Sequence, residues 1–205
     1  ETLSLGPAQT GCRCWLALRG GLAVPPVMGS RSTLLPAGFG GHLGRALQAG
    51  DALPWMPASA EIHLLRAHPP VAPHNGFLRV VAGPQATCFD DAGLAAFFNN
   101  PYRVDPASDR RGLRLKGPAA THEPIELSSQ GVLPGAVQVP PDGQPIILGW
   151  DGPVTGGYPV IAGVISADLP RLAQLRPGDT VRFVTIELEA ARALAVRQWD
   201  IEDIA

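Results

Sequence analysis

The sequence predicts a mainly β fold with a few short helices. The 205 residues include 24 glycines and 22 prolines, more turn-forming residues than a helical protein uses. Between the turns lie short runs in which apolar and polar residues alternate, such as Val181 to Ile186, and this pattern is typical of strands with one buried face. Hydrophobic residues make up 45% of the chain and charged residues 17%, which indicates a globular protein rather than a disordered one.

The first predicted strand runs from Cys12 to Leu18, where apolar and polar residues partly alternate. Side chains repeat every two residues in a strand, so Cys12 and Cys14 would share one face. Two cysteines can contribute to a metal site, but the chain offers no second pair of ligands. We therefore expect both thiols to be buried as small apolar side chains. A turn-rich loop from Gly20 to Thr33 and a turn at Leu47 to Asp51 follow.

Six further runs have the composition of strands. They are Glu61 to Leu65, Phe77 to Val81, Arg111 to Leu115, Gly135 to Val139, Ile146 to Leu148 and Val181 to Ile186. Between the first two of them, the proline-rich stretch from His68 to His74 has the composition of a connection between lobes. We therefore divide the chain into residues 1–70 and 71–205.

Three short helices are predicted, at Asp90 to Phe98, near Leu169 to Leu175, and at Leu188 to Arg197. An aspartate can cap the start of the first helix, and Asn99-Asn-Pro101 ends it. Asp168 or Ser166 is the expected N-cap of the second helix, because Pro170 suits a first helical turn. The third helix carries apolar residues on one face, which predicts that this face packs against the fold.

Bulk properties exclude several classes of protein. The formal net charge is -2 and the basic residues are scattered, so the sequence shows no footprint for nucleic acid. No apolar run approaches the length of a membrane span. The five histidines show no zinc-binding spacing, so no metal site is expected. Three cysteines without a CxxC pair fit a reducing compartment, which predicts a cytoplasmic protein.

A weak internal repeat suggests that two lobes are related. Gly20-Gly21 precedes a Leu-x-x-Gly-Asp turn that ends at Asp51, and Gly156-Gly157 precedes a second such turn that ends at Asp179. Both turns are followed by an apolar residue. Two copies of so short a pattern also arise by coincidence, but related β lobes would leave this trace, and a cleft between them would be the expected place for a site.

Two glutamines flank a predicted turn at Asp142-Gly143 and are candidates for ligand contact. The amides of Gln138 and Gln144 can both donate and accept hydrogen bonds, which suits an amide, urea or lactam ligand. Solvated side chains are the simpler explanation for both. Asp142 is assigned to the turn itself, because aspartate bonds the nearby backbone and the following glycine tolerates positive φ.

The segment from Thr155 to Tyr158 is a further candidate. Gly156 and Gly157 have no Cβ, so the backbone can approach a ligand closely. The hydroxyl groups of Thr155 and Tyr158 can orient a polar group of that ligand. A tight bend between strands explains the same residues equally well.

Two charged turns complete the set of candidates. Arg31 lies among three hydroxyl residues in Gly29-Ser-Arg-Ser-Thr33, and with Ser32 it can hold a carboxylate or phosphate by forked hydrogen bonds. The stretch has no Walker spacing. Asp109 and Arg110 form a second charged turn, in which either a functional pair or an ordinary ion pair at the start of a strand is consistent with the sequence.

Taken together, these motifs resemble the allophanate hydrolase subunit 2 family, also called the biotin-dependent carboxyltransferase domain with subdomains A and B. Members include the 5-oxoprolinase C subunit, the sporulation-related antagonist KipA and the carboxyltransferase part of urea amidolyase. The matching motifs follow the family's order along nearly the whole chain, at Gly29 to Thr33, Gly83 to Gln85, Ser108 to Leu115, Gly135 to Gln144, Thr155 to Pro159 and Ile165 to Asp179.

The resemblance implies a cyclophilin-like β-barrel architecture with two pseudo-related lobes. Residues 1–70 would be the C-terminal part of the first carboxyltransferase lobe, without the N-terminal segment that members usually have, and residues 71–205 would be the second lobe. The sequence departs from the family at Gln130, where many members have an acidic residue. A glutamine cannot act as a general base at that position.

The resemblance also implies an activity, namely that of one subunit in an ATP-dependent amide or lactam hydrolase of the 5-oxoprolinase type, which opens 5-oxoproline to glutamate. The donors expected to stabilise negative charge on the carbonyl oxygen are Arg110, Gln144 and Tyr158. Substrate contacts are expected from Arg31, Ser32, Asp109, Gln138, Thr155, Gly156 and Gly157.

Two alternatives stay open under the same resemblance. One is a carboxyltransferase that moves a carboxyl group from carboxybiotin to urea or a related small amide, with biotin as its cofactor. The other is a non-catalytic regulator of a subunit 1 protein of the KipI type. The expected partner is an allophanate hydrolase subunit 1-type protein, with the 5-oxoprolinase A subunit as a further one. ATP is expected in the complex, not necessarily on this chain.

Overall fold

A computed structural model describes residues 2–57, 75–123 and 125–199 of the chain. The predicted strand from Glu61 to Leu65 and the proline-rich connection lie outside the described residues. The chain forms two compact units, a smaller one of Cys14–Leu65 and a larger one of Glu1–Arg13 with Arg66–Ala205. The predicted division at residue 70 stays a prediction.

Residues 14–57, the described part of the smaller unit, form one short hairpin among turns. Strand β1 (Thr33–Leu34) pairs with β2 (Phe39–Gly40), and Gly38 between them has φ 66°. A glycine suits this position because other residues rarely adopt positive φ. The predicted strand from Cys12 to Leu18 is wrong, since that stretch has no strand pairing and both Cys12 and Cys14 are exposed free thiols.

The described residues of the larger unit form nine strands. They are β3 (Phe77–Ala82), β4 (Tyr102–Val104), β5 (Gly112–Lys116), β6 (Gln130–Gly131), β7 (Ala136–Gln138), β8 (Ile146–Leu148), β9 (Thr155–Gly156), β10 (Val160–Val164) and β11 (Thr180–Thr185). Seven of them close into a barrel in the order β10-β3-β11-β4-β5-β8-β7, while β6 and β9 form a separate two-stranded ribbon. The prediction of a mainly β fold with a closed barrel is confirmed.

The barrel is antiparallel except where β11 runs parallel to β3. Strand β4 and the central strand β10 had not been predicted. Strand β10 is apolar and buried at four of its five residues, and so continuous an apolar run does not show the two-residue period of a half-buried strand.

In the part of the chain that the structure describes, three α-helices accompany the barrel, namely α1 (Asp91–Asn99), α2 (Leu169–Leu172) and α3 (Leu188–Trp199). The predicted cap of α1 is confirmed, because the Asp90 carboxylate accepts from the Gly93 amide at 2.6 Å. Helix α2 is shorter than predicted. Asp168 occupies its N-cap position, as predicted, but the Asp168 side chain accepts no hydrogen bond from the first turn of the helix. Within the described residues, no helix combines the length and apolarity needed to span a membrane.

Asp168 instead forms a buried ion pair that joins α2 to the barrel. Its side chain is 0% exposed and accepts from the Arg79 backbone at 2.8 Å and from the Arg79 guanidinium at 3.0 and 2.6 Å. Arg171 adds a contact of 3.3 Å. Burial raises the pKa of Asp168, but the hydrogen bonds and charge of Arg79 outweigh burial and hold this pKa below its ordinary 3.8.

The barrel core is built around stacked aromatic rings. Phe97 of α1 stacks on Phe183 of β11, with ring centroids 4.3 Å apart. Tyr102 is fully buried beside them, and its hydroxyl donates to the Pro118 carbonyl at 2.7 Å. The same hydroxyl lies 3.3 Å from the Ala96 carbonyl, so the Tyr102 phenol links helix α1 and the chain after β5.

The two Gly-Asp turns of the internal repeat have the same local geometry. Asp51 accepts from the Gln48 amide at 2.7 Å and Asp179 accepts from the Arg176 amide at 2.8 Å. The glycine before each aspartate has positive φ, 91° at Gly50 and 92° at Gly178. The agreement supports the repeat within each turn, while the relation between whole lobes stays a prediction.

Candidate functional site

The ribbon of β6 and β9 carries the predicted Thr-Gly-Gly-Tyr segment. Thr155 and Gly156 form β9, and Gly156 is the register partner of Gln130 in β6. The ribbon is not part of the closed barrel, although β10 follows it after only three residues. Gly156 therefore lies where the ribbon leaves the barrel, beside the first residue of β6.

Gln138 lies at the end of β7 and points its amide toward this glycine. Its side chain is only 4% exposed, so the solvated alternative for Gln138 is wrong. Its Nε2 is buried without a hydrogen-bond partner, and a Cβ added to Gly156 would lie 2.5 Å from that nitrogen. The absence of a side chain at Gly156 thus leaves room for the Gln138 amide.

Gln85 forms hydrogen bonds with Val160, the first residue of β10. Gly83 brings the chain so close to β10 that a Cβ there would overlap the Val160 carbonyl. The Gln85 backbone amide donates to the Val160 carbonyl at 3.2 Å, and the Val160 amide donates to Gln85 Oε1 at 3.0 Å. Gln85 Nε2 then donates to Gln130 Oε1 at 3.1 Å. The family motif Gly83-Pro-Gln85 therefore supplies a side-chain link from the barrel to the ribbon.

We call Gln85, Gln130 and Gln138 the glutamine cluster. Gln130 Nε2, like Gln138 Nε2, is buried without a hydrogen-bond partner. Each unsatisfied buried donor costs about 1–3 kcal/mol, so two of them, on a residue that contacts Gly156 and on the register partner of Gly156, call for an explanation. A ligand oxygen satisfies amide donors of this kind. None of the three side chains titrates, so the cluster can bind and polarise an oxygen but cannot serve as a general acid or base.

Gln144, a predicted catalytic donor, has both ends of its amide occupied. Its Oε1 accepts from the Gly117 amide and its Nε2 donates to the Gly117 carbonyl, each at 3.1 Å. Asp142 accepts from the Gln144 backbone amide at 3.0 Å, which confirms Asp142 as a turn former. The structure therefore gives Gln144 the role of joining two loops, and its catalytic role stays a prediction that this geometry does not favour.

Asp109 and Arg110 do not pair with each other. Asp109 accepts from the Arg111 backbone at 2.8 Å and from its guanidinium at 2.9 Å, whereas Arg110 contacts Asp151 at 2.7 Å. Burial raises the pKa of Asp109, and the Arg111 hydrogen bonds outweigh burial and leave this pKa below 3.8. The functional pair considered for Asp109 and Arg110 is therefore wrong, and both side chains sit in exposed ion pairs.

The remaining predicted residues fall in two places. Arg31 and Ser32 belong to the smaller unit, where Arg31 Nε donates to the Val24 carbonyl at 3.1 Å and Ser32 is exposed. Gly157 and Tyr158 follow β9 directly, and the Tyr158 side chain is 47% exposed. Within the larger unit, the structure thus brings the Gly156 segment to Gln138 and gives Gln144 and Arg110 partners elsewhere.

Gln85 and Gln130 had not been predicted as site residues. Gln130 had been considered only as a departure from the family, and Gln85 only as part of a matching motif. They are 45 residues apart in the sequence. A sequence signal existed only for Gln85, which lies two residues after Gly83, a glycine at which the backbone approaches β10 closely. Among the described residues, no cluster of three or more His, Cys, Asp or Glu side chains could hold a metal ion.

Comparison with known proteins gives consistent relatives. Residues 1–185 match the family described as carboxyltransferase domain, subdomain A and B. The chain is 42% identical over 199 residues to the 5-oxoprolinase C subunit of Escherichia coli strain K12, covering 97% of this chain and 63% of that protein. It is 32% identical to urea amidolyase of Saccharomyces cerevisiae, covering 97% of this chain and 12% of that protein.

A solved structure gives the same result for the fold. The crystal structure of the K. lactis urea amidolyase superposes with a TM-score of 0.79 at 30% identity, covering 98% of this chain and 14% of that one. The present chain spans less than two thirds of the length of the 5-oxoprolinase subunits that it matches.

Proposed function

The chain belongs to the carboxyltransferase domain family with subdomains A and B, and from this premise we propose that it is a subunit of an ATP-dependent hydrolase complex of the 5-oxoprolinase type. Such a complex opens the lactam of 5-oxoproline to give glutamate. The similarity to two 5-oxoprolinase C subunits, at 42% and 38% identity, favours this activity over that of the less similar urea amidolyases.

The observation that carries the proposal is a pair of buried, unpartnered amide nitrogens, Gln138 Nε2 over Gly156 and Nε2 of Gln130, the register partner of Gly156. Ring opening of a lactam requires negative charge to develop on its carbonyl oxygen, and fixed N–H donors at that oxygen lower the barrier. Gln130 Nε2 and Gln138 Nε2 are buried donors of this kind. Removing one such donor from an oxyanion site typically costs about 100- to 1000-fold in turnover.

We assign roles to other predicted site residues as well. Thr155, Gly156, Gly157 and Tyr158 form or follow β9 and are proposed to line the substrate position. Arg110 has an exposed side chain and its bond to Asp151 is a surface ion pair, which is worth about 0–1 kcal/mol, so it can exchange that partner for a substrate at little cost.

A carboxyltransferase activity is the second candidate, and one observation favours it. The chain superposes on the K. lactis urea amidolyase and urea carboxylase structures with the same TM-score of 0.79. The ureido group of biotin has a carbonyl oxygen that the donors of Gln130 and Gln138 fit. In this alternative those residues would hold the biotin carbonyl, and biotin would supply the carboxyl group transferred to urea or a related amide.

Partner proteins are part of the proposal, and the smaller unit supports them. Among its described residues Val24 is buried, whereas Trp15 and Met28 are 91% and 94% exposed. Burial of such exposed apolar side chains against another protein would be favourable. We propose an allophanate hydrolase subunit 1-type protein as the partner, with a 5-oxoprolinase A subunit in addition, and a cytoplasmic complex. ATP is assigned to that complex rather than to a residue of this chain.

The experiment that tests the function is reconstitution. The chain, in the longest form that its gene encodes, is coexpressed with its subunit 1-type partner and the 5-oxoprolinase A subunit, and ATP-dependent glutamate release from 5-oxoproline is measured. We expect release that depends on all partners and on ATP. Absence of release from a folded complex, together with carboxyl transfer from carboxybiotin to urea, would replace this activity by the second one. Absence of both would favour the non-catalytic regulator.

A further inference from the structure

We propose that the glutamine cluster is an oxygen site of fixed polarity, in which Gln85 orients the Gln130 amide so that Gln130 and Gln138 together donate to an acceptor-only oxygen of the ligand. That oxygen is a lactam carbonyl or a carboxylate. The inference deepens the proposed function, on which it rests, by naming the chemical class that the site accepts, and it assigns Gln85 as a positioning residue.

The orientation of the Gln85 amide follows from the backbone. The Val160 N–H can only donate, so the atom of Gln85 that lies 3.0 Å from it must be the acceptor Oε1. The other end of the same amide is therefore the NH₂ group. A carboxamide has one acceptor end and one donor end, so no rotation of Gln85 satisfies Val160 and reverses this assignment.

The orientation of Gln130 follows from that of Gln85. Because Gln85 presents its NH₂ group, the Gln130 atom 3.1 Å away must be the acceptor Oε1. Gln130 Nε2 is then committed to the free end, where it is buried without a partner. The N–H donor of Val160 in barrel strand β10 thus determines the orientation of the Gln85 amide, and Gln85 in turn determines the orientation of the Gln130 amide in the ribbon.

Gln138 supplies the second donor at the same glycine. Gln130 is the register partner of Gly156, and Gln138 Nε2 lies over the position that a Gly156 side chain would take. An oxygen with two lone pairs can accept from both nitrogens, whereas a ligand N–H group at this place would face two donors. Acceptor-only oxygens are therefore the matching class.

Access to the site requires β9 to move away from β6, because both nitrogens are buried and the Gln85 bond must hold Gln130 of β6 in place. The ribbon consists of two strands of two residues each and lies outside the closed barrel. Short elements with few ladder hydrogen bonds open at low free energy. The ligand would take the place of β9 over Gln138 and pair both donors.

The test reverses the orientation that residue 85 imposes on the Gln130 amide. In Gln85→Glu the carboxylate still accepts from Val160 but no longer donates, so Gln130 must turn its Nε2 toward residue 85 and present Oε1 to the ligand. Binding of two neutral rings of equal shape to the full chain is measured by NMR, using 2-pyrrolidinone, which has a lactam N–H, and γ-butyrolactone, which has none. We expect the variant to shift the affinity ratio toward 2-pyrrolidinone about tenfold.

The control is Gln174→Glu, which makes the same chemical change at a glutamine that braces Cys12 and Arg13. Its affinity ratio should equal that of the wild type. An unchanged ratio in Gln85→Glu, or no binding of either ring to the wild type, would overturn the proposal. A shifted ratio without glutamate release from 5-oxoproline would instead refute the proposed function and support the oxygen site.

A measurement on the unchanged protein covers the case in which Gln85→Glu does not fold. In the wild type, γ-butyrolactone should move the side-chain NH₂ resonances of Gln130 and Gln138 more than that of Gln85, because only the first two bind the ligand oxygen. The opposite order, with Gln85 moving most, would contradict the assigned polarity.

Discussion

Replacing Gly156 by alanine is the sharpest perturbation of the candidate site, because it changes the position of one donor and leaves its chemistry intact. The new Cβ would lie 2.5 Å from Gln138 Nε2, whereas ordinary van der Waals contact begins at 3.4 Å. The amide must therefore retreat by roughly 1 Å. A misplacement of about 1 Å can cost on the order of 100-fold in rate, and we expect a loss of that size in ATP-dependent glutamate release by the reconstituted complex.

The control for this variant is Gly131→Ala in the paired strand. A Cβ at Gly131 meets no atom within 4 Å, and neither glycine has a positive φ, so both alanines are compatible with the backbone. Thermal unfolding should show a change of less than about 1 kcal/mol for either variant. Full activity of Gly156→Ala, with the Gln138 NH₂ resonance displaced, would refute the claim that this donor contacts the substrate.

Three other substitutions test the roles assigned above. Gln138→Met removes an unpaired buried donor at similar volume, so it should stabilise the fold by about 1–3 kcal/mol in urea unfolding and lower turnover by about 100- to 1000-fold; a loss of stability would contradict the unpaired state. Asp168→Asn should destabilise by about 3 kcal/mol near neutral pH, because Arg79 loses its carboxylate. Since the folded pKa of Asp168 lies below 3.8, its contribution is complete above that pH and is lost as the pH falls through the folded value, so wild type and variant should converge in acid. Gln144→Leu should lower stability by about 1–3 kcal/mol through the lost Gly117 bonds while the activity of the folded complex persists; loss of activity without loss of stability would restore Gln144 as a catalytic residue.

The fold was predictable from the sequence where local chemistry determines structure. The capped helix after Asp90 and the strand at Ile146–Leu148 follow from an N-cap residue and from apolar runs between turns. Strand β10 was missed because it is buried along most of its length and so lacks the alternation that identifies a strand. The strand expected at Cys12 to Leu18 was wrong because partial alternation also occurs in extended loops without a pairing partner.

The candidate site was predictable only in part, for a related reason. Gly156 and Gln138 were identified because each lies beside a turn with recognisable chemistry. Gln85 meets Gln130 across 45 residues, and no local pattern specifies such a contact. Gln144 looked equivalent to Gln138 in the sequence, but the register of the strands buries one amide without a partner and pairs the other with Gly117.

The free energy of the glutamine cluster explains why it is better understood as a binding site than as a structural link. Two unpaired buried donors cost about 2–6 kcal/mol together, a large part of the roughly 5–15 kcal/mol that keeps a domain folded. An apolar residue at position 138 would remove part of that cost without disturbing the Gln85 link. Binding of a ligand oxygen pairs both donors and so removes the same free-energy cost, but only in the bound state. The cost in the free protein therefore contributes to the affinity for the ligand. Neutral amides suit this site because a charged donor could not stay buried without a counterion before the ligand oxygen binds.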